Sequence, residues 1–344
     1  MRIGSNKILL VFALLLFSCS QAESQKKDAV WVKDKINGIS FVAPPRVVDD
    51  AWSKEIKNIH AGWVAIIPYA FSNVNEPAVI YHPERQYWGE SLEGVKATIK
   101  QAHANGLKVM VKPQVWLQRG TWIGSFDLAT EAQWQQWEQD YEKYILTFAQ
   151  LAMQEQADMI CIGTEYRNAA IKRPKFWLRL IADIRKVYSG KLTYCANWDD
   201  YQQITFWQDL DYVGISGYFP ISEAQEPSVK ELVKAWKPYQ QQLAKFSKEV
   251  AKPILFTEYG YRSMEQPAWK SWEAEHQKRN INQQAQANAY QALFLSLWKE
   301  PWFAGGFAWK WYSSFRRMDP IQNDDWTPQN KKAQAVIKAY YEKY

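Results

Sequence analysis

The sequence predicts an α/β fold, a single barrel of eight parallel strands surrounded by helices. Eight short apolar segments alternate with longer stretches of helical periodicity along the chain. Each apolar segment is continuous, as in strands of a parallel sheet that is covered on both faces. The first one continues into FVAPPRVVDD, which lacks the glycine-rich phosphate loop that usually follows the first strand of an open doubly wound sheet. We therefore expect a closed (β/α)8 TIM barrel rather than an open sheet.

The predicted strands and helices follow from these two kinds of segment. The apolar segments predict strands at residues 38–42, 63–68, 107–112, 159–163, 192–196, 212–216, 254–257 and 306–309. The helical periodicity predicts helices at residues 51–60, 91–105, 131–156, 175–188, 229–250, 282–299 and 330–344. Around residues 201–209 the connection is too short for a full helix. No linker interrupts the pattern, so one domain is expected.

Composition and charge exclude several classes of function. The chain has 47% hydrophobic and 23% charged residues, and its formal charge of +6 is not gathered into a basic stripe, so nucleic-acid binding is not expected. Its four histidines are scattered singly and no cysteine pair has zinc-ligand spacing, so neither a metal nor another cofactor is expected. The 19 Trp and 19 Tyr suit core packing and also carbohydrate binding, because their rings join a broad apolar face to a polar tip.

The N-terminus predicts export. Arg2 and Lys7 precede an apolar run at residues 8–17, which ends in LFSC with Cys19 last. A run of ten residues is too short to cross a bilayer as a mature helix and fits a secretory signal. LFSC resembles a bacterial lipobox, in which the cysteine becomes the lipidated first residue. We expect a membrane-anchored lipoprotein, at the outer membrane or cell surface; an ordinary signal with an incidental cysteine is the alternative.

These signals divide the chain into three parts. They are a signal peptide at residues 1–18, the lipidated cysteine and a polar tether at 19–36, and a barrel at 37–344. Lipidation of Cys19 would leave Cys161 and Cys195. Both lie inside predicted strands, so we expect buried free thiols rather than a disulfide.

Two glutamates occupy the exits of predicted strands. In a barrel of this kind, functional side chains lie just beyond the carboxyl ends of the strands. The fourth strand leads into Glu165 and the seventh into Glu258. Aromatic, amide and basic side chains occupy the other exits or follow the glutamates, namely Lys112, Gln114, Trp116, Asn197, Trp198, Tyr218, Arg262, Trp309 and Lys310. Packing is an equal alternative to sugar binding for the amides and tryptophans, and ion pairing is favoured for the two lysines.

Such a rim points to the cleavage of glycosidic bonds. That reaction needs one carboxyl group to protonate the leaving oxygen and a second to attack the anomeric carbon or activate a water. Two glutamates can divide this work if their environments keep one protonated and the other ionised. A donor such as Tyr218 or Arg262 would favour the ionised form. The alternative for each glutamate is an ion pair that caps the barrel, and Arg167 and Arg262 could serve to neutralise the acidic pair.

The two glutamate motifs resemble those of the clan A retaining glycosidases. Within that clan, GTWIGSFDLATEAQWQQWEQDYEKYI, ADMICIGTEYRNA, CANWDDY, DYVGISGYFP and ILFTEYGYRS resemble glycoside hydrolase family 113, and the resemblance covers residues 37–344. It implies an eightfold barrel that acts on β-1,4-mannan and manno-oligosaccharides. It also implies that Glu165 is the acid/base and Glu258 the nucleophile.

The same resemblance assigns three further residues. Tyr218 matches an aromatic residue whose hydroxyl holds the nucleophile, and Trp309 matches a tryptophan that forms the floor of the subsite where the sugar is cleaved. Thr164 is a departure, because many clan members have asparagine at this position, where it binds the sugar 2-hydroxyl. A threonine hydroxyl is shorter, so this contact is an open question in this chain.

The sequence therefore predicts a retaining glycosidase that cleaves β-1,4-mannosides and works as a monomer. Two alternatives stay open. One is a retaining enzyme on the same scaffold that acts on another β-linked glycan. The other is a surface glycan-binding lipoprotein that captures oligosaccharide without cutting it.

Overall fold

The computed structural model of the 344-residue chain describes residues 32–81, 86–118, 121–270, 272–273, 279–314 and 322–344. The predicted signal peptide and Cys19 lie outside these residues. The division of the chain at residues 18 and 36 therefore stays a prediction.

The described residues contain ten strands, eight of which form a closed barrel. The strands are β1 (Ile36–Phe41), β2 (Trp63–Ile66), β3 (Tyr69–Ser72), β4 (Lys108–Val111), β5 (Gln114–Leu117), β6 (Met159–Thr164), β7 (Lys191–Asn197), β8 (Tyr212–Ser216), β9 (Ile254–Tyr259) and β10 (Phe303–Trp311). Around the barrel the order is β1-β2-β4-β6-β7-β8-β9-β10, with β10 paired back to β1. Every pairing is parallel. The predicted (β/α)8 barrel is confirmed.

A two-stranded parallel sheet of β3 and β5 was not predicted. It continues β2 and β4 beyond Pro68 and Pro113, which follow the two barrel strands. Proline has no N–H to donate, so the barrel ladder stops there. Beyond the prolines the two segments pair again as β3 and β5, with Tyr69 opposite Gln114. This second pairing fixes Gln114 at the mouth of the barrel.

Eight α-helices surround the barrel. They are α1 (Ala51–Asn58), α2 (Leu92–Ala104), α3 (Glu131–Gln154), α4 (Arg167–Lys172), α5 (Pro174–Val187), α6 (Val229–Val250), α7 (Gln283–Leu293) and α8 (Lys332–Lys343) among the described residues. Thr130 and Ser228 begin α3 and α6 with capping boxes, in which side chain and backbone satisfy each other's donors. The short connection predicted near 201–209 is confirmed and holds two 3-10 turns.

Two helix predictions needed correction. The predicted helix at 282–299 ends as an α-helix at Leu293 and continues as one π turn over Phe294–Trp298. The short helix α4, directly after Glu165, was not predicted. Its six residues are too few for periodicity to reveal.

The core has two layers. The barrel interior holds small and flexible side chains, among them Ala65, Met110 and Met159. The layer between strands and helices holds large aromatic rings, of which Trp137 and Trp177 are completely buried. Cys161 and Cys195 are buried and unpaired, as predicted. Within the described residues no helix has both the length and the apolar composition needed to cross a membrane.

Candidate active site

The carboxyl ends of the parallel strands bring Glu165 and Glu258 to the same end of the barrel. The Glu165 N–H donates to the carbonyl of Cys195 on β7 at 2.7 Å. The Glu258 carbonyl accepts from the N–H of Gly217, which follows β8, also at 2.7 Å. Since β7 and β8 are neighbours, the two glutamates are attached to adjacent strands of one rim.

Glu258 is a buried carboxylate with a cation beside it. Its side chain forms an ion pair with Lys112, which is completely buried. Gln114 Nε2 donates to Glu258 Oε1 at 2.8 Å, and the Tyr218 hydroxyl donates to Oε2 at 2.9 Å. Burial alone would lower the pKa of Lys112, but the charge of Glu258 raises it above its ordinary value, so the ammonium stays protonated. One cation and two hydrogen-bond donors therefore contact the Glu258 carboxylate.

Glu165 has a different environment. Trp122 Nε1 donates to Glu165 Oε2 at 2.6 Å. Burial, and then the negative charge of Glu258, raise the pKa of the Glu165 carboxyl. Its φ of 55° lies in the left-handed region, which residues with a side chain adopt rarely and mostly at functional sites. The arrangement favours the protonated form of Glu165.

A protonated carboxyl group beside a carboxylate can perform acid and nucleophilic chemistry on one bond. The described residues contain no group of three or more His, Cys, Asp or Glu side chains arranged to hold a metal ion.

Comparison with known proteins places the chain among the glycosidases. The sequence model of glycoside hydrolase family 113 matches residues 49–331. The chain belongs to glycoside hydrolase family 113. It is therefore a glycosidase, as the sequence predicted. No match was found among curated proteins.

Solved structures of the family are similar over most of the chain. A family 113 β-mannanase from Alicyclobacillus acidocaldarius, in complex with ManMIm, is 23% identical, with a TM-score of 0.80 over 91% of this chain and 99% of that one. Another family 113 β-1,4-mannanase is 26% identical, with a TM-score of 0.79 over 91% of this chain and 100% of that one. A family 5 mannosidase from Rhizomucor miehei shares the fold at 11% identity, with a TM-score of 0.61 over 90% and 93% of the two chains.

Within this family 113 barrel, several predicted residues lie around the two glutamates. Gln114 and Tyr218 contact Glu258 directly. The ring of Trp309 lies 6.0 Å from the Nζ of Lys112, which places this tryptophan next to the Lys112–Glu258 pair. Thr164 is the last residue of β6 and is buried immediately before Glu165.

The two arginines predicted to neutralise the acidic pair are bound elsewhere. Arg262 donates to Asp324, through Nη2 to Oδ2 at 2.6 Å and through Nε to the carbonyl at 3.1 Å. Arg167 pairs with Asp199 and Asp200. The hypothesis that these arginines neutralise Glu165 and Glu258 was wrong. Lys112 has that position instead, because it reaches Glu258 from inside the barrel.

Three other predicted side chains contact other groups of the rim. Asn197 Nδ2 donates to Asp199 at 2.9 Å. The ring of Trp198 stacks on Trp272, with their centroids 6.2 Å apart. Trp116 is 53% exposed and meets Tyr69 edge to face. The exposed rings suit stacking against sugar faces, since each offers an apolar face to solvent.

Trp122 was missed by the sequence analysis. It lies in the GTWIG segment before α3 and is 39% exposed. The Arg167 guanidinium lies over its ring, 4.6 Å from the ring centroid. A tryptophan in a long connection gives no sign of which strand end it reaches. The only available signal was its place inside a segment that resembles the family.

Proposed function

We propose that this enzyme hydrolyses β-1,4-mannosidic bonds in mannan or manno-oligosaccharides with net retention of configuration. The observation that carries the proposal is the contrast between the two carboxyl groups, since a retaining glycosidase needs one protonated acid and one ionised nucleophile. The β-1,4-mannanase relatives in family 113 support the choice of substrate.

In the first step, Glu258 attacks the anomeric carbon and Glu165 gives its proton to the glycosidic oxygen. The bond from carbon to that oxygen breaks, and its electron pair leaves with the protonated leaving group. A covalent glycosyl–Glu258 ester remains. Tyr218 and Gln114 orient the attacking carboxylate through their hydrogen bonds.

In the second step, Glu165 acts as a base. It accepts a proton from water while the water oxygen attacks the anomeric carbon, and the ester electrons return to Glu258. Two displacements at one carbon restore its original configuration. Both carboxyl groups then have their starting protonation states.

The remaining rim side chains would bind the sugar. Trp309 would form the floor of the cleavage subsite, as the resemblance implies. Thr164 occupies the position from which an asparagine binds the sugar 2-hydroxyl in many clan members. Further hydroxyls and sugar faces would meet the other predicted binding residues, Gln114, Trp116, Asn197, Trp198 and Arg262.

The test is hydrolysis of mannohexaose, with product sizes followed over time and the new anomer read by proton NMR at early times. We expect shorter manno-oligosaccharides with the β-anomer formed first. Initial release of the α-anomer would contradict retention. Hydrolysis of β-glucan or xylan but not mannan would favour another β-glycan. Binding of mannohexaose without any product would favour the glycan-binding lipoprotein.

We also propose that the protein is exported and lipidated at Cys19. The basis is the apolar run and the LFSC segment. In a bacterial host grown with a radiolabelled fatty acid, the full chain should carry label and sediment with membranes. The Cys19→Ser variant should lose both properties, and retention of label would contradict the proposal.

A further inference from the structure

Lys112 is the most deeply buried charge at the candidate active site. Its side chain is 0% exposed and its ammonium contacts Glu258 Oε1. A fully buried lysine is rare unless it is paired, because removing its charge from water is costly. Neither the family resemblance nor the two-carboxylate mechanism requires a cation at this position.

The reaction changes which carboxyl group carries the negative charge that balances Lys112. Before the reaction, Glu258 is an anion, Glu165 is protonated and Lys112 is a cation, so these three groups sum to zero charge. When Glu258 becomes an ester it is neutral, and Glu165 has lost its proton. The sum is again zero, but the anion is now Glu165. Lys112 is too deeply buried to exchange its partner for water.

We propose that Lys112 is the counter-ion of both carboxyl groups in turn: it balances Glu258 in the free enzyme and Glu165 in the glycosyl-enzyme. This inference rests on the proposed function. In the first step the proton moves from Glu165 to the leaving oxygen as the Glu258–sugar bond forms and the glycosidic bond breaks. In the second step water supplies the proton that returns to Glu165, as the Glu258–sugar bond breaks. Lys112 keeps its protons throughout.

The surroundings of Lys112 allow this double role. The charge of Lys112 already acts on Glu165, where it lowers the carboxyl pKa against the larger effects of burial and of Glu258. Among the described residues, the titratable groups that interact with Lys112 or Glu258 include the Cys161 and Cys195 thiols and the Tyr69 and Tyr218 hydroxyls. Burial raises the pKa of Cys161 to about 11 and that of Cys195 well above its ordinary value, so both thiols stay neutral. Both tyrosine pKa values are raised by burial and by Glu258.

The experiment compares pH profiles of the full chain and its Lys112→Met variant. With mannohexaose, kcat/KM reports the first step. Loss of the cation leaves both carboxylates less stable as anions, so both limbs of the profile should move to higher pH. We expect about 1 to 3 units for the acid limb, which depends on the directly paired Glu258, and a smaller shift for the alkaline limb, which depends on Glu165. With a dinitrophenyl β-mannoside the second step limits kcat, and its acid limb, which requires ionised Glu165, should also move to higher pH.

The matched control is Lys331→Met. Lys331 is another buried lysine, but its ammonium donates to the Ser263 hydroxyl at 2.8 Å and the Asp325 carbonyl at 2.9 Å. We expect both limbs to stay where they are in this variant. Lys112→Met with lower activity but unmoved limbs would overturn the inference, since a purely structural lysine would behave in that way. If the limbs of the mannohexaose profile move but the acid limb of the dinitrophenyl mannoside profile does not, Lys112 does not balance Glu165 in the glycosyl-enzyme. That result would overturn the second half of the inference.

Two further outcomes are decisive. If Lys112→Met does not fold, the Lys112→Met/Glu258→Gln double variant should regain the folded state by circular dichroism, because it removes both charges of the pair. A double variant that also fails to fold would overturn the inference. A wild-type chain without activity on either mannoside would overturn the proposed function, and this inference with it; an active wild type with unmoved variant limbs would overturn this inference alone.

Discussion

The two glutamates lie in the same tripeptide, Thr-Glu-Tyr, once at residues 164–166 and once at 257–259. Glu258 remains inside β9, whereas Glu165 follows the end of β6 with a left-handed backbone. The Glu258 carboxylate is surrounded by the buried Lys112, the amide of Gln114 and the hydroxyl of Tyr218. Glu165 accepts a hydrogen bond from the indole of Trp122, which is partly exposed.

This difference shows how one local sequence can supply two opposite chemical roles. Burial favours the protonated form of a carboxyl group, whereas a direct ion pair with a buried cation favours the anion. Under the proposed function, two identical tripeptides supply an acid and a nucleophile because the barrel surrounds each glutamate with different side chains. Substitutions at and around the two glutamates test that contrast.

Removal of the nucleophile should abolish turnover. For Glu258→Gln we expect kcat on mannohexaose to fall by roughly 10⁴- to 10⁶-fold, because no covalent intermediate can form. The measurement is initial-rate kinetics by product chromatography. A matched control is Glu138→Gln on α3, which replaces another buried, ion-paired carboxylate, bound to Arg173 and Arg179. Comparable losses in the two variants would remove the special role of Glu258.

The loss of activity on removal of the proposed acid should depend on the leaving group. For Glu165→Gln we expect a loss of ~10²- to 10⁴-fold on mannohexaose, whose leaving oxygen needs a proton. A dinitrophenolate leaves without one, so the first step on a dinitrophenyl mannoside should be nearly unaffected. Stopped-flow detection of the phenolate burst measures this step. Equal losses on both substrates would show that Glu165 is not the acid.

Glu90 offers a third buried carboxyl group for the comparison. Within the described residues no lysine or arginine forms an ion pair with it, and burial raises its pKa from 4.5 to about 7. The folded state therefore holds this proton more tightly than the unfolded state, and its contribution to stability is lost as pH rises from about 4 through 7.

Glu90→Gln should remove that pH dependence. At pH 8 we expect the variant to be more stable than the wild type by at most about 3 kcal/mol, and at pH 4 the two should be similar. Urea unfolding at both pH values measures the difference. A variant that is less stable at pH 8 would show that the Glu90 anion is stabilised by a group other than a cation.

The smallest expected effect concerns Trp122. In Trp122→Phe the indole donor is lost but a ring remains, so the ionised form of Glu165 loses a hydrogen bond and its pKa should rise. The alkaline limb of kcat/KM should move to higher pH by about half a unit to one unit, since the ring is partly exposed.

Trp302→Phe serves as the control for this change. Trp302 packs against Phe303 at the amino end of β10, at the opposite end of the barrel from the glutamates. The alkaline limb of the kcat/KM profile of Trp302→Phe should match that of the wild type. If the limbs of the Trp122 and Trp302 variants shift equally, the effect is not due to the Glu165 hydrogen bond.

Much of this architecture was predictable because it depends on local pattern. Continuous apolar segments separated by amphipathic helices gave the barrel, and the barrel gave the positions of Glu165 and Glu258 at strand ends. The β3–β5 sheet was missed since it is only four residues long on each strand and follows a proline in each case. Arg262 was expected near the glutamates because it is close in sequence, but its guanidinium turns to Asp324.

By itself, the sequence determined the parallel barrel, the family and the pair of strand-end glutamates, because hydrophobic periodicity and short motifs are local properties. Only the tertiary structure decided which glutamate faces a cation. Lys112 and Glu258 are 146 residues apart, and Trp122 and Glu165 are 43 apart. Those contacts arise from the closure of the barrel, which brings distant strand ends to one rim, and they set the electrostatic environment of each carboxyl group.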